Sequence, residues 1–399
     1  MRLARLAAAA LSLFAMPAAA QTVAPLAEMR VRYEHAVVDG VPRDADAVTT
    51  RVRTGLSVGD GHWSALAEVQ GNLAIVGDYF DGLHPDPTRP LVADPQSIGL
   101  YRAQVQYKAS GLTLTGGRQR IMLDDERFVG AAAIRNNGQT FDAVRAEVSP
   151  IQGLKADVTY AWAVHTVWGI DGNGSRQGVI DGDNVFATLA YATPVGTLTG
   201  FAYLVDQDEA AVQSYRLSSQ TYGLRLAGNR AFGAAKLAYQ ASWARQSDWH
   251  RNPNDYAADY WLADVAAAFA GPRLGAGYEV FGASDGRPFT SIQTPLAAVF
   301  KFNGWAEKFT PKPPDGLRDL YASGGWGWKQ VGRAKNVSVT AIWHRFDSDR
   351  LVRHYGDEID LLAQGTVGRT TASLRLADYR ADTAATDTRK LWLQLDWAL

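Results

Sequence analysis

The stretch from Leu100 to Lys108, LYRAQVQYK, indicates which secondary structure dominates this chain. From Tyr101 onward the odd-numbered positions are apolar or aromatic, and the even-numbered positions from Arg102 to Lys108 are polar. Successive side chains of a β-strand point to opposite faces, so a period of two predicts a strand with one apolar and one polar side. On this basis Tyr101 and Val105 share the apolar face, and Arg102 and Gln104 share the polar face.

The same alternation recurs along the rest of the chain, for example over 153–164, 235–246, 272–282 and 357–365. It predicts about 18 strands. The predicted ranges include 28–35, 98–109, 111–122, 185–193 and 388–398.

Connections between these strands alternate between short and long. Short turns such as Gly59-Asp60-Gly61 are followed by long segments such as 76–97, 123–139 and 283–316. Bacterial outer-membrane barrels have short periplasmic turns, long outside loops and an even number of strands. The fold class that we predict is therefore all-β, a transmembrane antiparallel β-barrel of about 18 strands with short periplasmic turns and long extracellular loops. A large soluble β-sandwich or propeller is the alternative, but it gives no reason for long loops at one end only.

The N-terminus has the features of a targeting segment. Residues 1–20 combine basic residues at Arg2 and Arg5, an apolar stretch from Leu6 to Phe14 and a small-residue site at 18–20. This pattern is typical of a secretory signal peptide. We therefore predict two parts, a signal peptide at 1–20 and a single barrel domain at 21–399, located in the bacterial outer membrane after cleavage.

Composition and spacing exclude several other classes of protein. The chain has 0 Cys, and 40 basic residues against 41 acidic ones. Without Arg2 and Arg5, 38 − 41 gives a net charge of −3. A general nucleic-acid binder would instead carry an excess of basic residues. No metal, cofactor or catalytic residues are expected, because the 7 His lack metal-site spacing and no G-x-S-x-G is present. The segment 171–184 begins like a calcium loop, but Arg176 and Gly182 stand where an EF-hand needs Gly and Glu.

Three motifs resemble one known family. The stretch 117–143 reads GRQRIMLDDERFVGAAAIRNNGQTFDA, and it is similar to the G-R-Q, D-D-E/Q-R-F-G and R-Q-N-x-Q-T-F-D-A pattern of the alginate-export family of outer-membrane channels. Asn136 departs from the Gln of that pattern. The stretches 294–321 and 358–392 carry further matches. The last strand, 388–398, is amphipathic and aromatic like the assembly signal of outer-membrane proteins, although the chain ends in Leu399 rather than Phe.

This resemblance implies an 18-stranded barrel that passes a polar or anionic solute through an arginine-lined pore, as exporters of alginate, a polyuronate, do. The polar strand faces supply the cations for such a pore. The predicted pore-lining cations are Arg30, Arg32, Arg51, Arg53, Arg102, Lys108, Arg145, Lys155, Arg225, Lys236, Arg273 and Arg375. A ring of guanidinium groups favours anions. Carboxylates such as Glu28 and Glu68 share these faces, so pairing within the wall is the alternative role of each arginine.

The charged segment 123–139 is the predicted constriction, because a loop folded into the lumen narrows it; an exposed outside loop is the alternative. The candidates are Arg118, Arg120, Asp124, Asp125, Glu126, Arg127, Arg135, Asn137, Gln139 and Asp142.

The predicted function is an outer-membrane channel for polar or anionic solutes. The alternatives are a general or small-molecule uptake porin and a plugged structural or adhesive barrel. The expected partners are outer-membrane lipid, an anionic polysaccharide or small anionic solute, and the outer-membrane assembly machinery, with no nucleic acid.

Overall fold

A computed structural model describes residues 22–399, and it contains 18 antiparallel strands that close into a single barrel. The predicted barrel is confirmed, whereas the predicted signal peptide lies outside the described residues. The strands are β1 Thr22–Val38, β2 Ala45–Gly59, β3 Trp63–Asp78, β4 Ser97–Ala109, β5 Leu112–Gln119, β6 Thr140–Ile151, β7 Leu154–His165, β8 Val179–Thr193, β9 Gly196–Val205, β10 Ser219–Phe232, β11 Ala235–Asp248, β12 Ala257–Ala268, β13 Pro272–Phe281, β14 Leu317–Val331, β15 Ala334–Asp347, β16 His354–Val367, β17 Thr370–Ala381 and β18 Thr388–Ala398.

Each strand pairs with its neighbours in sequence, and the first strand pairs with the last. The closing register runs from Glu28 opposite Ala398 to Val38 opposite Thr388. Closure satisfies the backbone hydrogen bonds of both terminal strands, which an apolar membrane interior requires. Two short 3₁₀ helices, Gln213–Tyr215 and Val299–Lys301, lie in the connections. No helix in this part of the chain is long and apolar enough to cross a membrane.

The polarity of the barrel wall is the reverse of that in a soluble protein. Large apolar side chains point outward, and Val105, Leu274 and Leu395 are 46%, 60% and 50% exposed. Charged side chains such as Arg32 and Glu279 point inward and are buried. An outward apolar surface with a polar interior is the arrangement expected of a barrel surrounded by lipid.

The apolar core lies inside the barrel rather than between two sheets. Ile121 and Leu296, from two long connections, pack with inward-facing wall residues such as Tyr260 and Tyr379. The connections 120–139 and 282–316 therefore fold back into the lumen.

One strand is shorter than its sequence predicts. The pattern predicts a strand over 111–122, but β5 ends at Gln119. The alternation continues to Leu123 because Ile121 and Leu123 are buried in the interior core, not because they face lipid. The period of two cannot distinguish these two reasons for burial.

Candidate functional site

Two long loops meet inside the barrel and narrow the lumen. We call residues 120–139 the first inner loop and residues 282–316 the second inner loop. The Gly130 N–H and the Gln139 side-chain amide both donate to the carbonyl of Leu296, each over 2.9 Å. The Ala298 N–H donates to the carbonyl of Glu126 over 3.0 Å. These bonds join the two loops, so the constriction is a combined structure rather than one isolated loop.

Arginines of β1 and β2 hold the first inner loop against the wall. Arg30 donates to the carbonyls of Ala133 and Ile134 over 3.1 and 2.9 Å, and Arg32 donates to Ile134 over 2.7 Å. A guanidinium has five N–H donors in a fixed plane and can serve several carbonyls at once. Much of the hydrogen-bonding capacity of these predicted pore cations is therefore used to position the loop.

Buried amides continue this attachment. Asn136 donates to Thr49 on β2 over 2.8 Å and to Asn72 on β3 over 3.1 Å. Its neighbour Asn137 accepts from Gln70 over 3.1 Å. Asn136 is fully buried. The backbone N–H of Asn136 also donates to Asp94 over 2.7 Å, so bonds to three separate segments specify one position for the loop.

The second inner loop covers an acidic part of the wall. The backbone N–H groups of Trp305 and Ala306 donate to Asp360 and Glu358 on β16, over 3.2 and 2.7 Å. Asn303 donates to Glu279 on β13 over 2.9 Å. These three carboxylates are at most 1% exposed. The loop therefore separates them from any solute in the lumen.

Arg127 and Arg135, two of the predicted constriction residues, each pair with a glutamate inside the barrel. Arg127 lies 2.5 Å from Glu279 and 3.2 Å from Asp125. Arg135 lies 2.5 Å from Glu307, which is also 3.4 Å from Lys390. Burial opposes ionisation of Glu307, but Arg135 and then Lys390 outweigh it and lower the pKa of this carboxyl. Both arginines lie in the interior, and both anchor loops.

Beside the joined loops lies a cavity of about 820 Å³. Its lining residues include six cations and one carboxylate, and one of the cations, Arg89, also pairs with Asp78 at 3.1 Å. These charged residues are Arg89, Arg135, Arg176, Lys308, Lys312, Lys390 and Glu307. Apolar and aromatic side chains, including Trp168, Phe300 and Phe309, form other parts of the lining. Cations on an apolar background suit a solute with both an anionic group and an apolar body.

The remaining predicted pore cations occupy four environments. Arg51, Arg53, Arg102 and Arg145 lie on the inner wall near carboxylates, as Arg102 does at 2.7 Å from Glu68. Arg225 lies 3.5 Å from Asp124 of the first inner loop. Arg375 is half-buried on β17. Exposed cations adjoin the short turns, at the periplasmic mouth, and these are Lys108, Lys155, Lys236 and Arg273.

Among the other predicted constriction residues, Glu126 forms an ion pair with Lys301 and accepts from the Ala131 N–H over 3.1 Å. Gln139 joins the two loops, as described above. Arg120 follows the end of β5 and is half-buried.

Arg118 and Asp142 were predicted at the constriction, and the structure places them elsewhere. Arg118 alternates with Gln119 and Thr115, which face inward and are 3% and 6% exposed. Its cross-strand partner Asp142 likewise alternates with the fully buried Phe141. Both charged side chains therefore face outward. The prediction was wrong because the motif was taken as one inward segment, although its first and last parts are strands that expose alternate residues.

Tyr101 was also predicted on the wrong face. It is 4% exposed, and the guanidinium of Arg53 lies 3.8 Å from its ring centre. The β3–β4 register shifts between Glu68 and Val69, opposite Arg102 and Leu100, so Tyr101 is the extra residue of a β-bulge. A bulge shifts the inward and outward alternation at one point. The residues that follow it, including Val105, keep the faces that the sequence predicts.

Several cavity cations were missing from the prediction. Lys390 shares the inward face of β18 with Trp392, and the alternation of that strand could have identified it. Lys308 and Lys312 lie in an irregular loop, where no periodicity marks an inward direction.

Comparison with known proteins agrees with this architecture. The family model described as alginate export matches residues 27–351. OpdK of Pseudomonas aeruginosa, solved with vanillate, is 13% identical, with a TM-score of 0.70 over 94% of this chain and 98% of that one. OccK9 (OpdG) of the same organism is 15% identical, with a TM-score of 0.71 over 94% and 98%. OccAB3 of Acinetobacter baumannii is 12% identical, with a TM-score of 0.71 over 94% and 99%.

No curated protein matches the sequence significantly. At such low identities, the solved structures establish the fold alone. The family match covers most of the chain and includes both inner loops. This protein therefore belongs to the alginate export family of outer-membrane β-barrel channels.

Proposed function

We propose that this channel favours organic anions, with carboxylates as the main solute class. The observation that carries the proposal is the cavity of about 820 Å³, whose lining residues include six cations and one carboxylate. Positive charges lining a narrow aqueous path lower the free-energy barrier for anions and raise it for cations. Their effect is stronger beside a low-dielectric wall than in open water.

The arrangement of the two inner loops supports this charge preference. The acidic wall residues Glu279, Glu358 and Asp360 are covered by the second inner loop. Lys308 donates to Thr388 over 2.7 Å rather than to a carboxylate. Part of the negative charge of the interior is thus shielded from solutes, while this cation keeps its charge uncompensated by an ion pair in the described residues.

The cavity size favours small solutes or single units of a polymer. Sites of about 300–1,000 Å³ typically hold one small molecule. OpdK was solved with vanillate, an aromatic carboxylate, and the family description names alginate, a polyuronate. Both solutes carry carboxylates, so the cationic lining suits either one, and the remaining question is whether a chain of linked units can pass.

The test is the reversal potential of single channels in a salt gradient, followed by titration with three solutes. Benzoate, an oligouronate and a neutral disaccharide of similar size would be added in turn. We expect anion preference, brief current blocks by benzoate, and no block by the disaccharide. Passage of the oligouronate, seen as blocks that shorten at higher voltage, would extend the solute range to polymers. A silent bilayer would instead indicate the plugged structural or adhesive barrel.

A pair of variants separates net charge from structural damage. Lys308→Glu changes the cavity charge by −2 and should shift the reversal potential toward cations. Arg135→Gln with Glu307→Gln removes a paired cation and anion, leaves the net charge unchanged, and should leave ion preference close to wild type. The shift for Lys308→Glu should shrink at high salt because screening increases. Equal ion preference in all three folded channels would contradict the proposal.

A further inference from the structure

The strand pairing of the barrel wall is interrupted above the end of β5. β5 has 8 residues whereas the adjacent β4 has 13. The last β4–β5 pair joins Ala103 to Arg118. Within residues 22–399, the β4 edge from Ser97 to Arg102 therefore has no partner strand on that side. β6 begins at Thr140, only one residue beyond the Gln119–Phe141 pair, so no barrel strand of the described chain lies opposite this edge of β4 above that level.

This interruption lies in an apolar part of the outer surface. Ile98 and Leu100, on the unpaired stretch of β4, are 73% and 46% exposed. An unpaired strand edge facing hydrocarbon is costly, because lipid cannot satisfy backbone hydrogen bonds. Some other part of the chain must therefore cover the edge.

The cover is a segment without strand structure, residues 166–170, which we call the side plug. The N–H of Ile170 donates to the Ser97 hydroxyl over 3.3 Å. A Cβ added to Gly99 would lie 3.3 Å from a methyl group of Ile170, so β4 and the side plug are in contact here. Ile170 is 66% exposed, whereas Thr166 and Trp168 line the cavity. The side plug thus reaches from the cavity to the outer surface of the barrel.

The outward-facing charged cluster found above lies at the rim of the same interruption. Arg118 donates to Asp142 over 2.8 and 2.9 Å and to the Leu100 carbonyl over 3.3 Å. His165 lies 2.9 Å from Asp142. Together these side chains link β4, β5, β6 and β7 across the end of β5. The cluster satisfies a carbonyl of the open edge and keeps the rim in place.

The side plug has features of a segment that can move as a unit. Gly169 has φ +70°, and Gly172 and Gly174 follow it. On the inner side Trp168 is held by side-chain packing, with the Arg176 guanidinium 5.1 Å from its ring centre. Such contacts are broken at lower cost than a continuous ladder of strand hydrogen bonds.

We propose that the side plug closes a lateral passage, through which amphipathic organic anions exchange between the cavity and the outer leaflet of the membrane. The cavity offers cations for the anionic group, and Val164, Ile180 and Leu296 for the apolar body. The passage opens at the height of Ile98 and Leu100, where an apolar body leaving the membrane meets no aqueous barrier. The choice of an anion rests on the proposed function, whereas the lateral route rests on the strand pairing.

A reversible lock tests the route, because the chain has 0 Cys of its own. In Gly99→Cys/Ile170→Cys, a disulfide would tie the side plug to β4, because a Cβ at 99 lies 3.3 Å from the Ile170 methyl group, whose place the sulfur of a cysteine at 170 can take. The probe is dodecanesulfonate with a diazirine at its chain end, partitioned into vesicles that contain the intact protein. Cavity labelling is read by mass spectrometry on peptides containing Ile134 and Phe300.

We expect labelling in wild type, labelling reduced to the level of unilluminated vesicles in the oxidised double variant, and full recovery after reduction. Gly99→Cys alone should label like wild type, and Trp168→Ala should label more strongly. Equal labelling in the oxidised and reduced double variant, or no cavity labelling in wild type, would overturn the lateral passage.

A diazirine derivative of benzenesulfonate, added in water, monitors the axial path separately. It should label the cavity whether the lock is open or closed. Loss of its labelling on oxidation would mean that the lock blocks the axial path, and it would also overturn the proposal. If this probe does not label the cavity of wild type, that result would count against the proposed anion-binding cavity. The lateral passage would still be tested by comparing dodecanesulfonate labelling in the oxidised and reduced double variant.

Discussion

At the scale of single residues, arginine and lysine have different roles in this lumen. Arg32 is 1% exposed, pairs with Asp94 and donates to the Ile134 carbonyl. Its planar group suits several fixed hydrogen bonds. Lys308 and Lys312 both line the cavity, but the Lys312 ammonium is buried and donates to Asn303 over 2.8 Å, whereas Lys308 is partly exposed. The arginines mainly hold the inner loops in place, so Lys308 contributes a larger share of the charge that a solute meets.

Ion preference should therefore depend on pH in the mildly alkaline range. Burial, and for Lys308 then the nearby Lys390, lowers the pKa of Lys308 and Lys312 to about 8. Burial disfavours the charged ammonium, so both lysines carry a proton well below that pH and lose it above. We expect anion preference to decline as the pH rises through 8, measured as reversal potential in one salt gradient.

Lys308→Arg provides the control, because a guanidinium keeps its proton throughout this range. This variant should retain part of the anion preference at alkaline pH. A wild-type reversal potential that is constant from pH 6.5 to 9.5, about 1.5 units either side of this pKa, would show that these lysines do not set ion preference.

At the scale of elements, strand register decides which substitutions the barrel tolerates. Val105 on β4 is 46% exposed on the outer face, and Gln104 beside it is partly buried on the inner face. An arginine facing the middle of the membrane costs about 2–4 kcal/mol, whereas the polar interior accepts charge. We expect Val105→Arg to reduce the amount of assembled barrel and Gln104→Arg to assemble like wild type.

The measurement is the folded fraction of each variant recovered from outer membranes. The two positions are adjacent in sequence, so differences in expression or targeting affect both equally. Equal recovery of both variants would mean that Val105 does not face lipid and Gln104 does not face the lumen.

The inner loops show how much an element depends on its surroundings. The first inner loop takes its position from β1, β2 and β3, and from Leu296 of the second inner loop. Neither loop has a regular hydrogen-bond ladder of its own. Their conformation is therefore a tertiary property, and changes in the wall should alter the constriction.

At the scale of the whole molecule, closure between β1 and β18 makes the barrel a single cooperative unit. Eleven residue pairs, from Glu28–Ala398 to Val38–Thr388, join the two ends of the described chain. Closed barrels lack free edges from which unfolding could spread. The unheated protein should therefore migrate faster in detergent gels than the boiled protein, and it should be extracted from the outer membrane with a β-rich circular dichroism spectrum.

Removal of residues 388–399 deletes β18 and exposes β1 and β17 at once. This truncated chain should lose heat-modifiable migration. Retention of the fast-migrating form after truncation would show that stability does not depend on closure. Recovery of the full-length protein in a soluble periplasmic fraction would contradict the membrane location itself.

The sequence alone determined the barrel, its strand number and the family. These properties depend on patterns repeated over hundreds of residues, namely a period of two and alternating connection lengths, so single errors such as Tyr101 have little effect. It also predicted 123–139 as an inner segment, with an exposed outside loop as the alternative, and named Arg127 and Arg135 within it. In the structure both arginines have carboxylate partners inside the barrel, Glu279 and Glu307.

Only the tertiary structure decided which way each charged group faces and what it contacts. Arg118 and Asp142 belong to the same motif as Arg127, yet they face outward, because strand pairing fixes their side and the loop between them turns inward. The cavity unites residues from loops far apart in sequence, such as Arg89, Arg176 and Lys312. The side plug exists because β5 ends at Gln119 while β4 continues, and this mismatch depends on pairing between strands rather than on the residues of either strand.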